Sequence, residues 1–158
     1  MRQRRKNTSD VAICCNNNES EAILEGLNLI GAGNLIKKDD VVVITPNWVQ
    51  NKTPETGIVV GNESLNTVIS FVKAANPRRI VVATGSGGAD TLDVLEKYKD
   101  MLTKEGVEFI DLNAGPFIRK SLNHSRPSST YLNRIYEEHT FLISFTQLKV
   151  HEEATISG

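Results

Sequence analysis

Residues 79–98 of the chain, RIVVATGSGGADTLDVLEKY, decide the fold. The β-branched start predicts a buried strand, the glycine-rich middle a loop, and the end an amphipathic helix. This order brings backbone N–H groups and the start of a helix together at the carboxyl end of a strand. Both favour negative charge, so the stretch indicates a site for a phosphate or carboxylate group.

The length, composition and net charge of the chain are those of one ordinary globular domain. The 158 residues suffice for a sizeable core. We expect residues 1–9 to be a disordered basic tail and residues 10–158 a single α/β domain. The net charge of −1 and a pI near 6.3 predict no general attraction to nucleic acid or anionic lipid. Without an apolar run of ~18 residues or a secretory signal pattern, we expect a cytoplasmic protein.

The two cysteines, Cys14 and Cys15, are adjacent in an apparent strand at residues 11–15. Successive side chains of a strand face opposite ways, so this pair cannot easily hold one metal ion. The chain has no C-x-x-C motif and no spacing typical of a cluster site. We therefore predict buried, reduced thiols and no iron–sulphur ligands within this chain.

Strand and helix patterns alternate along the chain. Strands are predicted at residues 11–15, 41–45, 79–83, 107–111 and 141–145. Apolar residues at helical spacing predict a helix between each pair of the first four strands, and a short helix before the fifth. Residues 46–61 and 112–130 are predicted to be loops. Asn18 and Glu21 form a capping-box-like start of the first helix, and Gly31 is expected to end it in a left-handed cap.

This alternation predicts a three-layer, Rossmann-like α/β domain with a mostly parallel sheet of about five strands flanked by helices. Ligands of such sheets bind outside the carboxyl ends of the strands. Polar residues follow four of the predicted strands, and we expect them to gather around one pocket. They are Pro46, Asn47 and Trp48; Thr84, Gly85, Ser86, Gly87, Gly88 and Asp90; Asp111 and Asn113; and Lys149, His151 and Glu152.

The glycine loop at residues 84–88 is the clearest candidate. It is not a P-loop, because the chain contains no G-x-x-x-x-G-K-[ST]. It begins like a dinucleotide fingerprint, but Asp90 occupies the place of the last glycine or alanine, which argues against a dinucleotide. Two interpretations remain open: an anion site built from backbone amides, or a tight turn with Ser86 or Asp90 as a helix N-cap.

The other candidates each have a plain structural alternative. Lys149 and His151 share one face of extended backbone, where they would supply charge and a mobile proton, or simply face solvent. Asp111 could hold a ribose hydroxyl, a metal ion or only the next turn, and with Asp90 and His151 it could bind a divalent ion. Trp48 is expected to belong to the core.

Four segments of the chain resemble one known family, named for its domain of unknown function 362. They are VVVITPNWV, TGIVVGNESLNTVISFVKAANPRRIVVATGSGGADT, VEFIDLN and LISFTQLKVHEEATISG, and together they span nearly the whole chain. The family's Pro-Asn turn matches Pro46 and Asn47, its glycine loop matches residues 84–88, and its Lys-x-His matches Lys149 and His151.

The resemblance implies an α/β domain without an established substrate. Some family members carry ferredoxin-like iron–sulphur modules elsewhere in the chain. Members usually continue beyond the Lys-x-His segment, so this chain is expected to be an N-terminal portion or a shortened member. Any cluster would then belong to absent sequence or to a redox partner.

We therefore expect the domain to bind an anionic, phosphate- or carboxylate-bearing small molecule, as part of an iron–sulphur-associated redox enzyme. The alternative is a non-catalytic metabolite-binding or protein-interaction module. The candidate catalytic residues are His151 and Lys149, and no metal or cofactor is assigned. A homo-oligomer or a redox partner is expected, and no nucleic acid or membrane. The candidate cofactor-binding residues are Asn47, Thr84, Gly85, Ser86, Gly87, Gly88 and Asp111.

Overall fold

The computed structural model describes residues 5–151 and 155–157. None of the helices in these ranges is long and apolar enough to span a membrane. The helices are α1 (Glu19–Leu29), α2 (Asn62–Ala74), α3 (Thr91–Leu95), α4 (Lys99–Lys104) and α5 (Ile135–Glu138), with 3₁₀ turns at Ala32–Leu35 and Pro54–Thr56. The strands are β1 (Val41–Pro46), β2 (Arg79–Thr84), β3 (Glu108–Asp111), β4 (Phe117–Ser121), β5 (Ser129–Asn133), β6 (Phe141–Phe145), β7 (Lys149–His151) and β8 (Thr155–Ser157).

Four parallel strands form the central sheet in the order β3-β2-β1-β6. Ile44 of β1 is in register with Val82 of β2 on one side and with Ile143 of β6 on the other. The central strand β1 is almost completely buried, because it carries apolar side chains on both faces. The predicted parallel sheet is confirmed, with four strands instead of about five.

The sheet is covered on both faces, as predicted for a three-layer α/β domain. On one face Ile44 packs in a cluster with Leu65 of α2 and with Tyr98, which precedes α4. On the opposite face Val43 packs against Ile135 of α5. Since α5 has only four residues, this second layer is much thinner than the first.

The first predicted strand, residues 11–15, is wrong as a strand in this structure. The segment belongs to no β-ladder, and Val11 and Ile13 are 85% and 93% exposed. Cys14 is only half-buried and Cys15 is exposed, which also corrects the prediction of two buried thiols. The apolar run alone cannot make a strand, because a strand also needs a partner edge within hydrogen-bonding distance.

The loop predicted at residues 112–130 contains most of a β-hairpin, which is a second correction. β4 and β5 pair antiparallel, with Ile118 opposite Leu132 and Arg119 opposite Tyr131. Most of the side chains in β4 and β5 are exposed. Their sequences therefore lack the alternation of apolar and polar residues from which a half-buried strand is predicted. The helix predicted after the glycine loop is also divided, into α3 and α4.

Residues 1–4 of the predicted basic tail lie outside the described part of the chain. Arg5, by contrast, is tied to the domain. Its guanidinium donates to both carboxylate oxygens of Asp40, at 2.5 and 2.6 Å, and lies 5.0 Å from the ring centre of Phe141. The division into a tail and one domain therefore stays a prediction for the residues before Arg5.

Candidate functional site

Three of the four predicted polar clusters meet at the carboxyl ends of β1, β2 and β3. The hydroxyl of Ser86 donates to the carbonyl of Val49, in the segment after β1, at 2.8 Å. The side-chain amide of Asn113, after β3, donates to the carbonyl of Ser86 at 2.8 Å and to the hydroxyl of Thr91 at 3.2 Å. The glycine loop is thus connected to the segments that follow both neighbouring strands.

Asn47 holds the long segment after β1 in place. Its side-chain amide donates to the carbonyl of Ile58 at 2.7 Å, and its side-chain oxygen accepts from the N–H of Val60 at 3.2 Å. Because both ends of the side chain are engaged, Asn47 supports the loop in this structure. A direct contact between Asn47 and a ligand stays a prediction.

Trp48 belongs to the core, as predicted. Its side chain is fully buried and stacks on Tyr98 with 3.9 Å between ring centres. The indole N–H and the phenol hydroxyl both donate to the carbonyl of Val60, at 3.3 and 3.0 Å. Burial raises the pKa of Tyr98 to about 12. The two ends of the loop at residues 46–61 are therefore packed in the core, through Trp48 and through Val59 and Val60.

Two glycines of the loop allow close approach by neighbouring chain. A Cβ at Gly85 would lie 2.5 Å from the side-chain oxygen of Asn113, and one at Gly88 would lie 2.9 Å from Cγ of Gln50. Thr84 anchors the start of the loop, since its buried hydroxyl donates to the carbonyl of Pro46 at 3.0 Å. The small residues therefore serve packing at these two positions.

The backbone amides of the loop divide into two sets. The N–H of Ser86 donates to the hydroxyl of Thr91 at 3.2 Å, and the N–H of Gly88 donates to the carbonyl of Val49 at 2.9 Å. The N–H groups of Gly85 and Gly87 donate to no group within residues 5–151 and 155–157. Gly87 is exposed, and a Cβ there would meet nothing within 4 Å.

The acidic candidates have local roles. Asp90 is the N-cap of α3, because its carboxylate accepts from the N–H of Leu92 at 2.8 Å. The carboxylate of Asp111 accepts from the N–H of Asn113 at 2.8 Å, which stabilises the turn after β3. No three His, Cys, Asp or Glu side chains in the described ranges lie together as a metal site. The set of Asp90, Asp111 and His151 is therefore not assembled as an ion site.

Lys149 and His151 belong to the hairpin of β7 and β8, which within the described residues is not hydrogen-bonded to the central sheet. They share a face of β7, as predicted, and both are half-buried. The ammonium of Lys149 donates to the hydroxyl of Ser157 at 2.8 Å. Glu152, the third candidate of this cluster, lies outside the described residues.

One site residue was missed by the sequence analysis. Thr91 is buried, and its hydroxyl binds both the N–H of Ser86 and the side chain of Asn113. A threonine at the first position after an Asp cap was the available signal, since hydroxyl side chains near helix starts commonly bind loop backbone. Its partners, the main-chain N–H of Ser86 and the side-chain amide of Asn113, carry no sequence signature.

Comparison with known proteins supports the family resemblance. Residues 42–158 match the family described as Domain of unknown function (DUF362), which is well over half of the chain. No curated protein and no solved structure shows a significant match.

Proposed function

The chain belongs to the family of domain of unknown function 362, and we propose that it binds a small anionic molecule at the carboxyl ends of β1, β2 and β3. The observation that carries this proposal is the state of the glycine loop. Bonds to Val49, Thr91 and Asn113 hold the loop in place, while the amides of Gly85 and Gly87 keep their hydrogen-bonding capacity. Preorganised amides of this kind are suited to phosphate or carboxylate oxygens.

The surroundings of Gly87 leave room for such a ligand. The position is exposed and open, whereas Gly85 and Gly88 on either side are closely approached by neighbouring side chains. The ligand would therefore enter at Gly87 and reach Gly85 only with a small group. This shape favours a terminal phosphate or carboxylate over a bulky or internal one.

Lys149 and His151 enter the proposal as supplementary groups. Both follow β6, whose carboxyl end lies at the same edge of the parallel sheet as the glycine loop. In the proposal the ammonium of Lys149 adds charge for the anion and the imidazole of His151 transfers a proton. The cytoplasmic location and the association with an iron–sulphur redox partner also stand as proposals, supported by composition and by the family resemblance.

Calorimetry with inorganic phosphate, pyrophosphate and malonate tests the proposal. Gly87→Ala puts a methyl group into the open space beside the proposed amides, so we expect weaker binding. Because Gly87 does not have a positive φ, the same change should stabilise the fold by about 0.4–1 kcal/mol. Lys149→Ala should also weaken binding, through loss of charge.

Gly33→Ala is the matched control. Gly33 lies in the 3₁₀ turn Ala32–Leu35, where a Cβ would make only an ordinary contact of 3.6 Å with Phe71. This variant should bind the probes as the wild type does. The absence of binding by the wild type to all three probes, or equal binding by Gly87→Ala and Gly33→Ala, would refute the anion site.

A second candidate function is a non-catalytic protein-interaction module. The specific observation in its favour is the cross-strand pair of Val150 and Ile156 on the hairpin of β7 and β8, which are 86% and 61% exposed. Paired apolar side chains on one face of a hairpin are typical of a contact surface. If this surface is used, the double variant Val150→Asp with Ile156→Asp should lose the self-association that sedimentation detects in the wild type, or the binding of a partner protein. Unchanged association would contradict this function.

A further inference from the structure

The outer edge of β6 is unprotected. In the described part of the chain, β6 pairs only with β1, so its other edge has no neighbouring strand. Its sequence, Phe-Leu-Ile-Ser-Phe, contains neither the charges nor the proline that commonly shield an edge. Leu142 is 47% exposed there. An edge of this kind is a template for one more strand.

An apolar groove runs beside this edge. Its volume is about 630 Å³, and its walls include Phe141 and Ile143 of β6 and Ile23 and Leu27 of α1. None of the eleven residues of α1 is fully buried, although the helix carries an apolar stripe. Packed side chains ordinarily fill the space between a helix and the sheet beneath it. Between α1 and β6 this space is instead an open groove.

Residues 11–15 border the groove and have the side-chain alternation of a half-buried strand. Ala12 and Cys14 line the groove and lie near Gly26 of α1. Val11 and Ile13, between and beside them, are 85% and 93% exposed. The alternation in burial has a period of two, which is what a strand with one covered face requires.

The chain direction also suits a fifth parallel strand. The guanidinium of Arg5 donates to the carbonyl of Thr140, next to the first residue of β6, at 3.2 Å. The ammonium of Lys6 donates to the carbonyl of Ile30, just beyond the end of α1, at 3.1 Å. Residues 5 and 6 thus lie near the start of β6 and the end of α1. To reach the start of α1, the chain must run back along the length of that helix, about 16 Å. This is the direction in which β6 runs.

The topology agrees with this direction. α1 and α2 pack together on the same face of the sheet, where the hydroxyl of Thr67 donates to that of Ser20 at 2.8 Å. A strand outside β6, followed by α1 and then β1, would progress across the sheet in the same direction as β1, α2 and β2. The two crossovers would share one hand, as parallel strand–helix–strand units nearly always do.

We propose that residues 11–15 form a strap that docks on the outer edge of β6 as a fifth parallel strand and closes the groove. The inference is independent of the anion site. Docking would extend the order to β3-β2-β1-β6-strap and pair the exposed backbone groups of β6. Ala12 and Cys14 keep facing α1, while Ile13 and Cys15 come to lie beside Leu142 and Ser144. When the strap is undocked, the groove is open to an apolar molecule. Docking of the strap therefore controls access to the groove.

A disulfide trap tests the docked state. Neighbouring residues of parallel strands point to the same face, so Cys15 of the docked strap lies beside residue 144. Ser144→Cys, at an exposed position, should therefore form an intramolecular disulfide with Cys15 when oxidised glutathione is added. The expected result is a monomer that has lost two of its three thiols, those of Cys15 and of residue 144, shown by mass spectrometry. The matched control is Ser144→Cys with Cys15→Ser, which keeps Cys14 on the opposite face and should not cross-link.

The fluorescent probe anilinonaphthalene sulfonate reports on closure of the groove. It should bind the reduced Ser144→Cys protein and lose that binding on oxidation, whereas the control variant should bind it under both conditions. Failure to cross-link, or a disulfide-linked dimer as the main product, would overturn the docking of the strap on its own sheet. A cross-linked monomer that still binds the probe would overturn closure of the groove.

Discussion

The carboxylate of Asp40 accepts four hydrogen bonds, and Asp40→Asn tests its contribution to stability. The residue is 2% exposed. Beyond the two bonds from Arg5, it accepts from the hydroxyl of Thr140 and from the N–H of Lys37, each at 2.6 Å. An asparagine keeps the shape but loses the charge and one of the two accepting oxygens. It therefore leaves Arg5 without a counter-charge.

The expected loss follows from the burial of the two partners. Removing one partner of a fully buried ion pair costs about 3–5 kcal/mol. The side chain of Arg5 remains 21% exposed, so water relieves part of its lost pairing, and we expect about 2–3 kcal/mol. For a domain of this size each kcal/mol lowers Tm by roughly 2–4 °C, so the drop should be roughly 4–12 °C.

Urea unfolding followed by tryptophan fluorescence measures this loss directly. Trp48 is the only tryptophan and is fully buried, so its emission reports on the core. The control is Asp39→Asn at the exposed neighbouring position, which should stay within about 0.5 kcal/mol of the wild type. Equal stabilities of Asp40→Asn and Asp39→Asn would refute the assignment of this carboxylate as a stabilising centre.

The same carboxylate predicts a pH dependence. Hydrogen bonds from the Arg5 guanidinium hold the pKa of Asp40 well below its usual range, and those from Thr140 and Lys37 add to this. Because the folded pKa is the lower one, the contribution is complete above the unfolded value of about 4. It is lost as the pH falls below that value. The wild type should therefore lose more stability in acid than Asp40→Asn, and parallel pH profiles would contradict the reasoning.

Two further substitutions test single contacts. Thr45→Val removes a buried hydroxyl that has no hydrogen-bond partner within residues 5–151 and 155–157, so it should raise the free energy of unfolding by about 1 kcal/mol. A lower Tm would contradict this. Gly85→Ala forces the side chain of Asn113 away from Ser86 and Thr91 and should cost about 1–3 kcal/mol. In the background of Asn113→Ala the same change should cost much less, and full additivity in urea unfolding would refute the contact.

The elements of the central sheet could be predicted because their signals are local. β1 and β2 contain short apolar runs rich in β-branched residues, which are typical of strands buried on both faces. The start of α1 was predicted equally well, since Asn18 accepts from the N–H of Glu21 as a capping residue should. The left-handed cap at Gly31 is also confirmed, with φ at 65°.

The site was only partly predictable. The sequence pointed to the glycine loop and to the segments after β1 and β3, because the carboxyl ends of parallel strands meet at one edge. It could not show that Asn47 would be engaged by Ile58 and Val60, or that Ser86 would be bound by Thr91. Such bonds join residues whose separation carries no periodic pattern, and main-chain acceptors are present at every position.

The amino-acid sequence by itself determined the α/β class, the parallel strands of the sheet and the helices α1 and α2, because caps and apolar periodicity act within a few residues. Tertiary structure alone decided that residues 11–15 remain unpaired in this state and that β4 and β5 form a hairpin. It also placed Lys149 in a two-stranded hairpin that is not part of the central sheet. The physical reason is that strand pairing depends on which edge is available in space, and a chain segment contains no local record of that edge.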